Sequence, residues 1–188
     1  MIRRAGSVLV LAAVLAASLF AVAPSAHARR SAVKTYGPPY AAGPSGGDEW
    51  NYISADAATG RISVFRFYPQ PGSIGCGGAG GYANLQVVHR VQGSLGRVSL
   101  EYADSAWDPY TFVSVLIRTA SGRWLGAKKV RGPAADAGTI EVPIVGGRPK
   151  PGTRVLIRFG VELASACPSL GGGTVEFTSV TAHPRGHG

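Results

Sequence analysis

The chain has 188 residues, with 19 Lys+Arg against 10 Asp+Glu and a formal net charge of +9. Its basic residues are scattered rather than clustered, which argues against a nucleic-acid-binding protein. The two cysteines supply too few ligands for a structural zinc site.

Residues 1–28 predict a secretory signal peptide. Arg3 and Arg4 precede an apolar run from about Val8 to Val22, and the A-x-A triplet that ends at Ala28 is a cleavage signal. The run is shorter than the ~20 residues that a membrane span needs. We therefore expect a secreted, extracellular protein with no membrane span. Cleavage leaves 188 − 28 = 160 residues, which suits one domain, with a charge of 17 − 10 = +7.

The segments after the signal differ in texture. Residues 29–55 are rich in Gly, Pro, Ser and Ala and predict a linker or an arm. Residues 56–182 alternate short β-rich runs with turn signals, and residues 183–188 are predicted to be a disordered tail. No run has the 3.6-residue apolar period of a helix. We expect an all-β fold, an antiparallel β-sandwich of jelly-roll type with about eight strands.

Two local signals refine this fold. Pro143 lies within a strand run, and because proline donates no backbone hydrogen bond, that strand is predicted to be an edge or to carry a bulge. The tripeptide Ala120-Ser121-Gly122 separates two strand runs and predicts a hairpin turn.

The second half of the domain has a recognisable rhythm. It contains RVSLEYADS, a hairpin ending in SGRWLG, the strand TIEVPI, the turn PKPGT and the strand RVLIRFGVE. This stretch, from about Gly96 to Ala182, resembles the jelly-roll modules of the galactose-binding-like and carbohydrate-binding type. The resemblance implies glycan binding on an aromatic platform or on a polar sheet face, often beside a structural calcium.

The glycine-rich loop SIGCGGAGGY, residues 73–82, matches G-x-G-x-x-G. A dinucleotide fingerprint requires a helix after the glycines, whereas YANLQVVHRV has the alternation of a strand. We therefore expect no cofactor. In an oxidising compartment Cys76 and Cys167 are predicted to form a disulfide, which would close a loop of about 90 residues and stabilise the fold by roughly 4–5 kcal/mol.

The loop DSAWDPY carries the first candidate binding site. Trp107 and Tyr110 are candidates for a platform on which a sugar stacks, because loops on a rigid sandwich often carry function. Asp104 and Asp108 are candidate oxygen ligands for calcium. The alternative is that the two aromatic residues only cap the end of the core.

A second candidate site is a charged sheet face. Alternation directs Arg97, Glu101, Arg154 and Arg158 outward. If their two strands were neighbours, these side chains would form a patch for an anionic or polyol ligand, with arginine forks contacting the ligand. The alternative is a solvated face with cross-strand charge pairs.

Catalysis has little support in the sequence. The strand carboxylates Glu101, Glu141, Glu162 and Glu176 have no spacing that singles out a glycosidase pair. His89 shares a face with apolar residues, which predicts a core or edge histidine.

We expect a monomeric, non-catalytic binding protein for carbohydrate or an anionic cell-envelope polymer. One alternative is an extracellular protein–protein module or inhibitor, and another is a glycan-active hydrolase that uses the strand carboxylates. The positive charge favours an anionic partner, although solubility alone also explains it.

Overall fold

The computed structural model describes residues 32–47, 51–66, 80–105, 111–131, 137–164 and 171–185. These residues contain eleven strands and no helix. The strands are β1 Lys34–Tyr36, β2 Ala41–Gly46, β3 Asn51–Asp56, β4 Arg61–Arg66, β5 Tyr82–Arg90, β6 Arg97–Asp104, β7 Thr111–Thr119, β8 Trp124–Arg131, β9 Ala137–Pro143, β10 Arg154–Leu163 and β11 Gly171–His183. In this described part of the chain no helix is long and apolar enough to cross a membrane.

The strands form two antiparallel sheets that pack face to face. Sheet 1 has the order β3-β4-β11-β6-β9, with β1 also paired to β11, and sheet 2 has the order β2-β5-β10-β7-β8. Apart from the β3–β4 and β7–β8 hairpins, every connection crosses from one sheet to the other. The predicted antiparallel sandwich of jelly-roll type is confirmed, but the described residues have eleven strands rather than about eight.

The additional strands come from the segment predicted to be a linker or an arm. β1 pairs with β11, β2 pairs with β5, and β3 pairs with β4, so this segment extends both sheets. Between β1 and β2, Tyr40 is buried in the core, and its hydroxyl donates to the carbonyl of Phe177 at 3.2 Å. The sandwich therefore begins before residue 56. Composition did not reveal this, because backbone pairing and one buried ring hold the arm in place.

The ordered chain also extends beyond residue 182, where the disordered tail was predicted to begin. His183 is the last residue of β11 and pairs with Arg97 of β6. Its Nε2 lies 2.8 Å from Oγ of Ser99, within hydrogen-bonding distance. That part of the prediction was wrong.

The core lies between the sheets and follows the predicted alternation. Val98 and Leu100 of β6 are fully buried, as is the corresponding alternate set on β10. The ring of Phe159 packs edge-on against Tyr40 and Phe177, at centroid distances of 4.9 and 5.1 Å. These aromatic contacts join residues from both sheets and give the sandwich a common core.

Both refinements of the fold are confirmed. Pro143 ends β9, which is an edge strand of sheet 1. β7 and β8 form the predicted hairpin, and Gly122 in its turn has a φ of 93°, a conformation that favours glycine.

His89 is the buried histidine that its position in β5 predicts. Its Nδ1 lies 2.9 Å from the hydroxyl of Tyr36, which places a hydrogen bond between the two sheets. Burial, and to a lesser degree the charge of Lys34, lowers the pKa of His89. The histidine is therefore a satisfied core residue.

Candidate functional site

The charged patch predicted from alternation does not form. Arg97 and Glu101 lie on β6 in sheet 1, whereas Arg154 and Arg158 lie on β10 in sheet 2. All four point outward, but the outer faces of the two sheets point in opposite directions. The prediction was wrong because alternation determines which side of a strand faces the core and says nothing about the neighbouring strand.

Several candidates lie outside the described residues. These are Trp107, Asp108 and Tyr110 of the loop that follows Ser105, together with the two cysteines, Cys76 and Cys167. The aromatic platform and the disulfide therefore stay predictions.

Asp104, the other predicted calcium ligand, is described. It lies at the end of β6 and is buried. Among the described residues, no three His, Cys, Asp or Glu side chains come together as a metal site. Because Asp108 is not described, the calcium site also stays a prediction.

Three rows of side chains cross the outer face of sheet 1, and the first row consists of two aromatic residues. Tyr52 of β3 and Phe65 of β4 are directly opposite each other, and their exposed fractions are 61% and 45%. The next residue across the sheet is Gly172 of β11, which has no side chain to cover Phe65. A Cβ at that position would lie 3.3 Å from Cδ2 of the Phe65 ring. The Phe65 ring therefore lies close over Gly172, and the row is an exposed apolar platform.

The second row, two residues further along β4, consists of hydroxyl groups. Ser54, Ser63 and Thr174 are opposite one another on β3, β4 and β11. Ser105 continues the row, and its hydroxyl donates to the carbonyl of Thr174 at 3.0 Å. Within the described residues, the hydroxyls of Ser63 and Thr174 have no hydrogen-bond partner. They are available to a ligand as both donors and acceptors.

The third row is charged. Arg61 Nε donates to Oε2 of Glu176 at 2.9 Å, and both side chains are solvent-exposed. Asp56 lies opposite Arg61, and hydrogen bonds from the Thr59 hydroxyl and the Ala58 amide lower the pKa of Asp56. This row combines donors and acceptors, and the two charges that pair cancel each other.

The last two rows border an open hollow of about 550 Å³ on the outer face of sheet 1. Small side chains in its floor leave this space. The residues that line the hollow are Arg61, Ser63, Ala103, Asp104, Ser105, Thr174 and Glu176.

Sequence reasoning missed most of this site. The alternation in β4 was sufficient to direct Arg61, Ser63 and Phe65 outward together. Tyr52 had no such signal, because it was assigned to the arm. Nothing in the sequence placed β11 between β4 and β6, and that arrangement creates the hollow.

The strand carboxylates have partners other than one another. Glu176 pairs with Arg61, and Glu141 pairs with Arg97 at 3.4 Å. Glu101 accepts a hydrogen bond from the Ser179 hydroxyl at 2.9 Å. The fourth carboxylate, Glu162, lies on the other sheet and pairs with Lys129 at 2.9 Å. The carboxylates of sheet 1 thus belong to local cross-strand pairs.

Comparison with known protein families and with curated proteins finds no match to this chain. Solved structures that resemble it include carbohydrate-binding modules with a β-sandwich fold. One is a family 61 module in complex with beta-1,4-galactotriose, at 9% identity, 81% coverage of this chain and 88% of that chain, and a TM-score of 0.42.

A second structure, from a study of promiscuous carbohydrate-binding modules of the beta-sandwich superfamily, has 10% identity and a TM-score of 0.46. The match covers 83% of this chain and 58% of that chain. A third is a low-affinity xylan-binding module of family 86 from Roseburia intestinalis, with 15% identity, coverages of 82% and 96%, and a TM-score of 0.41.

Proposed function

We propose that this chain is a secreted, non-catalytic protein that binds a carbohydrate chain across the outer face of sheet 1. The observation that carries the proposal is the open hollow beside two exposed aromatic residues, Tyr52 and Phe65. Secretion rests on the signal peptide predicted in residues 1–28.

The aromatic, hydroxyl and charged rows together match a sugar, which has both apolar and polar surfaces. A pyranose ring has an apolar C–H face, which an exposed aromatic ring can cover, and a rim of hydroxyls, which need donors and acceptors. Tyr52 and Phe65 supply the apolar contact, and Ser63 and Thr174 supply hydroxyls in the next row. Successive rows on one face of a strand are about 6.7 Å apart, so a chain of two or three sugars reaches across all three rows.

The charges favour a neutral glycan at this face. Arg61 is already paired with Glu176, so the described residues that line the hollow include no unpaired cation to attract an anionic polymer. The hollow is also open to solvent, which suits an extended polymer. An enclosed pocket would instead suit a small ligand.

The test is binding to a panel of immobilised neutral polysaccharides, including galactan, xylan and cellulose. We expect Tyr52→Ala and Phe65→Ala each to weaken binding about tenfold, because each loses roughly 1–1.5 kcal/mol of apolar contact. Tyr82→Ala is the matched control, since Tyr82 is an exposed tyrosine on the outer face of sheet 2. Binding that is unchanged in both aromatic variants contradicts the proposal.

Two further experiments distinguish glycan binding from the alternatives of a hydrolase and a protein–protein module. Release of reducing sugar that stops in Glu176→Gln would favour the hydrolase, and capture of a secreted protein instead of any glycan would favour the protein–protein module. Trp107→Ala and Tyr110→Ala test the predicted loop platform independently. Loss of binding in these two variants alone would move the site from the sheet to the loop.

A further inference from the structure

The outer face of sheet 2 is strongly basic. Glu162 is the one acidic side chain among the described residues of its five strands. The cations that alternation directs to this face are Arg90, Arg118, Lys129, Arg131, Arg154 and Arg158.

The carboxylate of Glu162 already forms an ion pair. Lys129 Nζ lies 2.9 Å from Oε2 of Glu162 and also 4.4 Å from the centre of the Phe112 ring. Four of the remaining cations form the group that we call the arginine cluster: Arg90, Arg118, Arg154 and Arg158. Within the described residues, no member of this cluster makes an ion pair.

One pair in the cluster places like charges face to face. Arg154 of β10 lies directly opposite Arg90 of β5. Like charges in this cross-strand position are destabilising, whereas an acid at either position would form a favourable pair. Folding alone gives no reason for two arginines here.

Arg158 is a second unfavourable feature. Its Nε is buried, yet it has no hydrogen-bond acceptor among the described residues. Burial and, secondarily, the charge of Arg118 lower the pKa of the Arg158 guanidinium. A buried donor without an acceptor destabilises the free protein, and an anion placed between Arg118 and Arg158 would offset the repulsion between the two guanidinium groups.

We propose that the arginine cluster is a second binding site, on the opposite side of the sandwich from the hollow, and that it binds a carboxylated polysaccharide. A guanidinium fork matches the planar geometry of a carboxylate. Trp124 lies opposite Arg118 across the β7–β8 pair, with 49% of its surface exposed. A uronate sugar carries a ring face and a carboxylate in one residue, which fits an aromatic residue beside an arginine. This site stands independently of the neutral-glycan site proposed for sheet 1.

The test compares polygalacturonate with its methyl-esterified form, which has the same backbone without the charge. We expect the processed full chain to bind the acidic form at least about tenfold more tightly, because charge-assisted hydrogen bonds are the stronger kind. Arg118→Gln combined with Arg158→Gln should abolish this preference. Affinity should also fall as salt rises. Equal binding of the two forms would overturn the proposal.

The matched control is Lys34→Gln combined with Arg185→Gln, which removes two exposed charges elsewhere on the molecule. We expect this control to keep at least half of the affinity for polygalacturonate. An equal loss in both double variants would show that only the net charge matters, and would contradict the site. Tighter binding to duplex DNA or polyphosphate than to polygalacturonate would also overturn the assignment.

Stability supplies a second readout. If Arg158 is kept for a ligand, Arg158→Met should raise the thermal midpoint of the free protein while lowering its affinity for polygalacturonate. A merely structural arginine would give the opposite sign, a lower midpoint. Should the double variant fail to fold, Arg90→Gln combined with Arg154→Gln removes the opposed pair and is expected to cause the same loss of preference.

Discussion

The outer faces of the two sheets carry different side chains, although both sheets cover the same core. On sheet 1, Arg61 and Arg97 each pair with a glutamate, and the rows around the hollow combine aromatic, hydroxyl and charged side chains. On sheet 2, arginines lie beside one another with almost no acid to balance them. Residues of both inner faces form one apolar core, so the core does not require this difference. This contrast is the basis for proposing a different ligand for each outer face.

The largest expected effect comes from the core that both faces share. Phe159→Ala should lower the free energy of unfolding by about 3–5 kcal/mol, because it removes a buried ring that contacts Tyr40 and Phe177. Urea denaturation measures this change, and Phe112→Ala, a half-buried ring on the outer face of sheet 2, is the control. A loss in Phe159→Ala no larger than in the control contradicts a core shared by the two sheets.

A smaller loss of stability is expected at acidic pH, because His89 lies at the contact between the two sheets. Because burial lowers the pKa of His89 below its ordinary value of 6.5, the unfolded chain binds a proton that the folded chain does not. The free energy of unfolding should therefore fall as the pH drops below 6.5.

His89→Gln should reduce this pH dependence, as measured by thermal midpoints at each pH. The pKa of His183 is lowered as well, mainly by burial, so His183→Gln should remove a further part. Parallel pH profiles for the wild type and His89→Gln would contradict the assignment. Neither variant should alter binding at the two outer faces.

The smallest effect on stability is expected on the outer face of sheet 1. Arg61→Ala breaks an exposed ion pair and should change the free energy of unfolding by about 0–1 kcal/mol. The same variant should weaken binding of the neutral glycan, because Arg61 lines the hollow. A large loss of stability with unaltered binding would show that the ion pair has a structural role and is not part of the proposed site.

Individual strands show how far the sequence predicts the molecule. In β6 and β10 the alternation of apolar and polar residues identified the buried side chains, and Pro143 identified an edge. In β2, the sequence AAGPSG has no such alternation, because an edge strand held by backbone pairing needs no apolar face. The strands of the arm were missed for that reason.

The side on which each residue of β4 to β11 lies follows from a local rule, because successive side chains of a strand point in opposite directions. Which strands are neighbours depends on pairing between residues that are far apart in the sequence. This pairing places β11 between β4 and β6 and puts β6 and β10 in different sheets. Alternation therefore identified outward residues such as Arg97 and Arg158, and the packing of distant strands assigned them to opposite faces. The hollow and the arginine cluster exist only through those pairings.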